Sequence, residues 1–281
     1  MPLVFVVVVL ELVGGALGEE TPRIIGGGYT GLSSAIHLRR RGYSVILLEA
    51  NKVGWGASGR NGGHVGTGQR VDQPELEKLV GDERARALWD LGLEAVDTVC
   101  GLIDEFAIDC ELKTGNLHVA SSAQAGEDLA GEAEHLAARY GYDQLRYVPP
   151  AELPEWTSAQ GMHGGLMDYG ARHLHPLNYA LGLAAAARDL GAELFEDSRV
   201  LDYREDTAVR VRTARGTVKA RYLVLGCNGY LDKLEKRCAG RIMPINNYML
   251  ATEPLPEATA RRLIRDDASM SDTRFVINYW K

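Results

Sequence analysis

The sequence lacks most of the patterns that name a function class at sight. None of its four cysteines, Cys100, Cys110, Cys227 and Cys238, falls in a C-x-x-C pair, and no histidine stands at zinc-like spacing from them. Common zinc and dithiol motifs are thereby excluded, and reduced thiols in a cytoplasmic protein are the plain expectation. Positive charge is in deficit: 31 Lys and Arg against 38 Asp and Glu leave a net charge of −7, against a dedicated nucleic-acid binder. The apolar run from Leu3 to Leu10 is interrupted by Glu11 and is too short to span a bilayer, so no membrane partner is expected. There is no internal repeat, low-complexity tract, P-loop, metal cluster or Ser-His-Asp set. Residues 1–22 read as an atypical leader: disordered or misassigned first, an extra strand second, and a signal peptide third, because the positive n-region is missing.

What remains is 281 residues, 46% of them hydrophobic, enough for one large or two modest domains. The stretch RIIGGGYTGLSSAIHLRRRGYSVILLEA reads as strand, tight turn, helix, turn, strand. Ile24 and Ile25 end the first strand, Leu32, Ala35, Ile36 and Leu38 keep helical spacing, and Gly42 stands where a helix stop belongs. SVILLEA is a continuous apolar run, as in a parallel strand buried on both faces.

Between the first strand and the helix lies Gly26-x-Gly28-x-x-Gly31. In a dinucleotide site the first glycine makes the tight turn, the second admits the pyrophosphate to the backbone, and the third lets the helix pack on the strand. The helix then aims its N–H groups and positive dipole end at the phosphates. Glu49 ends the next strand about twenty residues on, where a carboxylate can accept hydrogen bonds from ribose hydroxyls and repels the extra phosphate of NADP. The bland alternative is a βαβ unit with incidental glycines. The pattern alone leaves NAD and FAD open.

Further along, a glycine-rich loop precedes a helical pattern from Pro74 to Ile108, and CELKTGNLHVA reads as a strand pair turning at Lys113-Thr114-Gly115. A helix follows from about Ala123 to Tyr140, then a proline-marked surface connection at Pro149, Pro150 and Pro154. HPLNYALGLAAAARDLGAELFE is a helix-to-strand unit with Pro176 in its first turn and Gly191 at its stop. RVLDYREDTAVRVRTARGTVKA alternates apolar and polar residues as an antiparallel meander, and YLVLGCNGY adds a buried strand running into a second glycine turn.

The segment GGGYTGLSSAIHLRRRGYSVILLEANKVGWGASGRNGG resembles the amino-terminal signature of FAD-dependent amine oxidoreductases of the D-amino-acid oxidase superfamily, and within it the gamma-glutamylputrescine oxidase group. GASGRNGG is the more specific half of the match, and HLHPLNYALGLA, VRTARGTVKARYLVLGCNGYL and RIMPINNYMLATEPL resemble later segments. The resemblance implies that Gly26, Gly28 and Gly31 cradle the FAD pyrophosphate, with Glu49 on the adenosine ribose and Ala50 beside it. Ala57 and Ser58 would lie along the pyrophosphate and ribityl chain, and Arg60, Asn61, Gly62 and Gly63 would face the isoalloxazine ring. Val200 would read the adenine edge, and Cys227, Asn228 and Gly229 would form the second glycine turn beside the dinucleotide. His64 is expected as a packing residue, not a covalent flavin link. His173 and His175 read as flanking a helix start.

The implied architecture is α/β, or α+β overall: a Rossmann-like FAD-binding domain with a β-meander, interrupted by a partial antiparallel substrate domain. Its expected segments are 23–107 and 173–238 for the FAD domain and 108–172 and 239–281 for the substrate domain. The implied reaction oxidises the C–N bond of a small amine by hydride transfer to flavin, with imine hydrolysis and reoxidation by oxygen or another acceptor. No catalytic acid or base is nominated. Gamma-glutamylputrescine leads as substrate, with sarcosine or dimethylglycine behind it. A truncated, non-catalytic nucleotide-binding remnant is the alternative from another class, because the β-rich pattern still runs at DTRFVINYWK where family members continue. An NAD-dependent dehydrogenase is disfavoured by GASGRNGG and the meander.

Overall fold

The computed structural model describes residues 8–11, 22–206 and 208–281. They form three sheets and seven α-helices among the described residues.

The first sheet has the strand order β1 (Val8–Glu11), β12 (Tyr222–Leu225), β2 (Arg23–Ile25), β3 (Ile46–Leu48), β8 (Glu193–Phe195). Strands β2, β3, β8 and β12 run parallel, while β1 adds antiparallel to the β12 edge. Residues 8–11 of the expected leader thus form an extra strand, and residues 1–7 and 12–21 lie outside the described ones. Successive strand residues face opposite sides of a sheet, which explains the continuous apolar runs. Ile24, Leu47 and Val224 join the core under helices α1 (Tyr29–Arg40) and α5 (Pro176–Asp189), with Leu32, Ile36 and Leu183 fully buried among them. Ile25, Leu48, Leu223 and Leu225 face the other way, against Val209 and Val211. Those valines belong to the expected meander, β9 (Val200–Glu205), β10 (Val209–Thr213) and β11 (Gly216–Ala220), paired antiparallel in sequence order.

The third sheet joins β4 (His64–Val65), β5 (Lys113–Val119), β7 (Gly165–His173), β13 (Ser269–Asp272) and β14 (Tyr279–Trp280), with β6 (Leu145–Val148) also paired to β7. It is mixed and not purely antiparallel, because β13 runs parallel to β5. The expected strand pair around Gly115 is one strand. Gly115, at φ +103°, makes a bulge with a register shift between Thr114 and Asn116 instead of a reversal. The expected helical stretch from Pro74 is likewise divided, into α2 (Gln73–Val80) and α3 (Asp82–Glu105), by Gly81 at φ +83°. Asp72 caps α2 by accepting from the Glu75 N–H at 2.9 Å. α4 (Ala123–Tyr140) has its expected bounds, from the Ser122 cap to Gly141 in the left-handed region. The short helices α6 (Lys236–Ala239) and α7 (Glu257–Leu263) complete the set.

Candidate dinucleotide-binding site

A cleft of about 760 Å³ opens at the carboxyl ends of β2, β3 and β12, between them and the meander. Such crevices beyond the strand ends are where open parallel sheets bind ligands.

Each glycine of the turn has its own steric reason. Gly26 sits at φ +111°, and a Cβ there would lie 2.5 Å from the Gly226 carbonyl oxygen. At Gly31 a Cβ would lie 1.9 Å from the Gly26 carbonyl oxygen, so only glycine lets α1 dock on the turn. At Gly28, the residue before α1, a Cβ would come within 2.8 Å of Ser58 Oγ. No side chain of its own caps α1, and its first turn carries no acid. The Tyr29 N–H donates to Ser58 Oγ at 3.1 Å. The helix start thus keeps the field that favours an anion.

Glu49 accepts two backbone hydrogen bonds, from Gly27 N–H at 2.6 Å to Oε2 and from Asn51 N–H at 2.8 Å to Oε1. Its own N–H donates to the Phe195 carbonyl at 2.9 Å, fixing the end of β3 against β8. Its carboxylate is therefore locked beside the glycine turn. Ala50, Ala57, Ser58, Val200, Cys227 and Asn228 line the same cleft. The Cys227 thiol donates to the Ile25 carbonyl at 3.4 Å, and burial, reinforced by the Glu49 charge, pushes it up to about 12. It is a neutral wall residue, not a nucleophile. Asn228 adopts φ +51° and its Oδ1 accepts from the Gly229 N–H at 2.7 Å.

The GASGRNGG loop is divided in its placement. Arg60 is exposed and lays its guanidinium over Trp55, 4.5 Å from the ring centroid. Asn61 ties the loop together: Nδ2 donates to the Ala57 and Ser58 carbonyls, each at 3.0 Å, and Oδ1 accepts from Gly63 N–H at 2.7 Å. Gly62 and Gly63 lie beyond the cleft lining, against Tyr279 of β14 and Leu174 after β7. A Cβ on Gly62 would lie 2.6 Å from the Tyr279 ring, and one on Gly63 1.9 Å from the Leu174 carbonyl oxygen. Lys281 Nζ donates to that same carbonyl at 2.6 Å. Gly229 is also outside the lining. His64 Nε2 contacts the Met270 carbonyl at 3.1 Å, and burial lowers its basicity, with the charges of His173 and Lys281 acting the same way. His175 Nδ1 accepts from the Asn178 N–H at 3.2 Å as the cap of α5.

Four cleft residues have no local signal in the sequence. Trp55 and Tyr230 meet edge-on with centroids 6.1 Å apart, and the Tyr203 hydroxyl donates to Glu235. Each contact joins segments far apart in the chain. The described residues contain no group of acids, cysteines and histidines able to hold a metal, and no helix long and apolar enough to cross a membrane.

A parallel sheet with this glycine turn, a carboxylate ending the neighbouring strand and a meander on the far face defines a Rossmann-like, dinucleotide-binding protein of the flavoprotein kind. The chain belongs to the FAD dependent oxidoreductase family, whose profile matches residues 24–279. It is 38% identical over 262 residues to a probable oxidoreductase OrdL of Rhizobium meliloti, covering 92% of this chain and 60% of the relative. It is 37% identical over 259 residues to the gamma-glutamylputrescine oxidoreductase of Escherichia coli, covering 92% and 61%. The chain thus spans about three-fifths of the length of these curated relatives. Among solved structures, L-proline dehydrogenase from P. horikoshii superposes with a TM-score of 0.62 at 19% identity, over 91% of this chain and 64% of that one. Glycine oxidase from Geobacillus kaustophilus superposes with a TM-score of 0.58 at 22% identity, over 74% and 56%. These two likenesses speak to fold alone.

Proposed function

We propose that this cleft holds FAD and that the chain serves the oxidation of a C–N bond in a small amine of the gamma-glutamylputrescine kind. The observation that carries the cofactor assignment is the start of α1, which no N-cap side chain of its own covers and only Ser58 Oγ touches, set behind glycines that cannot carry a Cβ and beside the locked Glu49 carboxylate. In this reading, backbone N–H groups at Gly28 and the head of α1 take the pyrophosphate, as an anion at a helix start requires. Glu49, already accepting two N–H donors, uses its remaining lone pairs for ribose hydroxyls. Gly31 acts indirectly, by seating the helix. Ala50, Ala57, Ser58, Val200, Cys227 and Asn228 form the walls.

When bound, FAD supplies a two-electron acceptor for the amine's C–H bond. The chain's own part is placement. Asn61 fixes the loop from Ala57 to Gly63, which in this reading lies toward the flavin ring, and the bare Cα atoms of Gly62 and Gly63 let the Tyr279 ring and the Leu174 carbonyl pack against it. Arg60 acts on that loop through Trp55. Segments 23–107 and 173–238 make up the cofactor domain in this reading, and 108–172 with 239–281 the substrate domain. The four free cysteines accord with a cytoplasmic setting.

The substrate assignment rests on similarity to the E. coli oxidoreductase, whose name specifies gamma-glutamylputrescine. Anaerobic addition of gamma-glutamylputrescine, sarcosine and dimethylglycine to the flavin-loaded protein tests it. Bleaching of the visible bands by the first compound alone supports the assignment. Bleaching by sarcosine or dimethylglycine alone replaces it, and bleaching by none favours a non-catalytic flavin-binding role for this chain.

A further inference from the structure

The segment from Tyr230 to Arg237 follows the second glycine turn and crosses to the meander, and its residues up to Lys236 line the cleft. It is attached at two places to elements on different sides of that cleft. At its start, the Tyr230 ring packs on the loop after β3. It meets Trp55 edge-on, and its Cε2 would lie 3.0 Å from a Cβ on Gly56. Arg60 stacks on Trp55, so Trp55 is held from another side. At its far end, Glu235 is only 5% exposed, and its carboxylate gathers the Arg237 N–H at 2.7 Å, Nε at 3.0 Å and Nη2 at 2.9 Å. The Tyr203 hydroxyl on β9 donates to the same carboxylate.

Between these attachments the backbone turns sharply, with the Leu234 N–H donating to the Leu231 carbonyl at 3.1 Å and the Leu234 side chain packed partly buried against the same core. Leu231 is 3% exposed and stays in the core beneath the meander. Asp232 follows at φ +47°, ψ −131°, a conformation an L-residue holds only under restraint from its surroundings. Asp232 and Lys233 are exposed. The chain thus has a buried anchor, a strained joint, and a carboxylate that grips a hydroxyl on the opposite wall. The bidentate Arg237 contact to Glu235 is within the segment and moves with it, whereas the Tyr203 hydroxyl and the half-exposed Arg237–Glu205 ion pair at 3.6 Å tie the far end to β9, and the buried Tyr203–Glu235 bond is the stronger of the two.

We propose that residues 230–237 form a strap across the cofactor cleft, pivoting after Leu231, and that breaking the Tyr203–Glu235 bond governs uptake and release of the dinucleotide. The inference rests on the cleft being the FAD site. Tyr203 and Glu235 are positioning residues here: they act on the passage and not on the bound group. A gate lowers the barrier in both directions when it is loosened, whereas a residue that only contacts the ligand changes dissociation alone.

The test is stopped-flow measurement of FAD fluorescence on association with the apoprotein and on release from the loaded protein. It is made for the wild type, Tyr203→Phe, which removes only the hydroxyl, and Glu235→Gln. Tyr203→Phe is expected to raise both rates about tenfold, the weight of one charge-assisted hydrogen bond, and to leave Kd within about threefold. Hydrogen exchange at the amides of residues 230–237 is expected to quicken with it, while β2 and β12 stay protected; this keeps the test open should Glu235→Gln fold poorly. Faster release with unchanged association overturns the inference and leaves the FAD site standing. Unchanged rates in both directions do the same. A wild-type protein that takes up no FAD overturns the site itself, and the strap with it.

Discussion

Glu132 lies on α4 facing Asp72 at the start of α2 and Asp168 on β7, and its carboxyl is pushed up to about 7. Burial is the main cause, the charges of Asp72 and Asp168 add to it, and His135 opposes it. The three carboxyls differ in their partners. Asp168 accepts from Thr67 Oγ1, from the Tyr142 hydroxyl at 2.6 Å and from Gly170 N–H at 2.8 Å, and Asp72 caps α2. Glu132 has no hydrogen-bond donor among the described residues. A rise from 4.5 to about 7 corresponds to about 3 kcal/mol between the two protonation states, at about 1.4 kcal/mol per pH unit. Through that window the folded chain keeps a proton the unfolded chain has lost, so this group's contribution to stability falls as pH rises and is level above it. Glu132→Gln removes the slope. Urea unfolding followed by helical signal is expected to show the variant within about 1 kcal/mol of the wild type at pH 5 and about 2–3 kcal/mol more stable at pH 8.5. The comparison across pH cancels the titrations both proteins share. A stability difference that is the same at both pH values overturns this, because a partly buried carboxyl held up to about 7 cannot be indifferent to pH.

Three further outcomes follow from the cleft and its supports. Gly31→Ala places a methyl 1.9 Å from the Gly26 carbonyl oxygen, so α1 must lift from the turn. Destabilisation of about 3 kcal/mol or more is expected by urea unfolding, together with loss of flavin. Glu49→Gln leaves one oxygen and an amide donor facing two N–H groups, and is expected to weaken FAD binding about 10- to 100-fold in a fluorescence titration while the fold persists. Leu183→Ala, at a side chain 1% exposed between α5 and the first sheet, is expected to lower stability by about 2–5 kcal/mol with FAD still taken up at low temperature.

The first βαβ unit was legible because everything it needs is local. Gly26, Gly28 and Gly31 sit within one turn, Leu32, Ala35 and Ile36 repeat at helical spacing, and Glu49 closes the next strand. The meander and α4 were legible for the same reason, each being written in a period of two or 3.6 with its own stops. Periodicity could not show that Gly81 ends one helix and opens another, since both halves keep the same apolar spacing. At Gly115 the positive φ serves a bulge, and sequence alone does not separate a bulge from a turn. Pairing of His64 with His173 brings the end of the glycine-rich loop into the third sheet, a long-range match without a local signature. The same holds for the cleft walls: Tyr203 with Glu235, Trp55 with Tyr230, and Arg60 turned onto Trp55 are meetings of distant segments.

Whether the cleft behind Gly26, Gly28 and Glu49 holds FAD is decided by the visible absorption spectrum of the purified 281-residue chain. It should be recorded after supplementation with FAD and gel filtration, and again on the filtrate after denaturation. The expected result is a two-banded flavin spectrum that stays with the folded protein, and a chromophore that passes wholly into the filtrate on denaturation and has the mass of FAD. A folded protein that emerges colourless from FAD-supplemented buffer would contradict it.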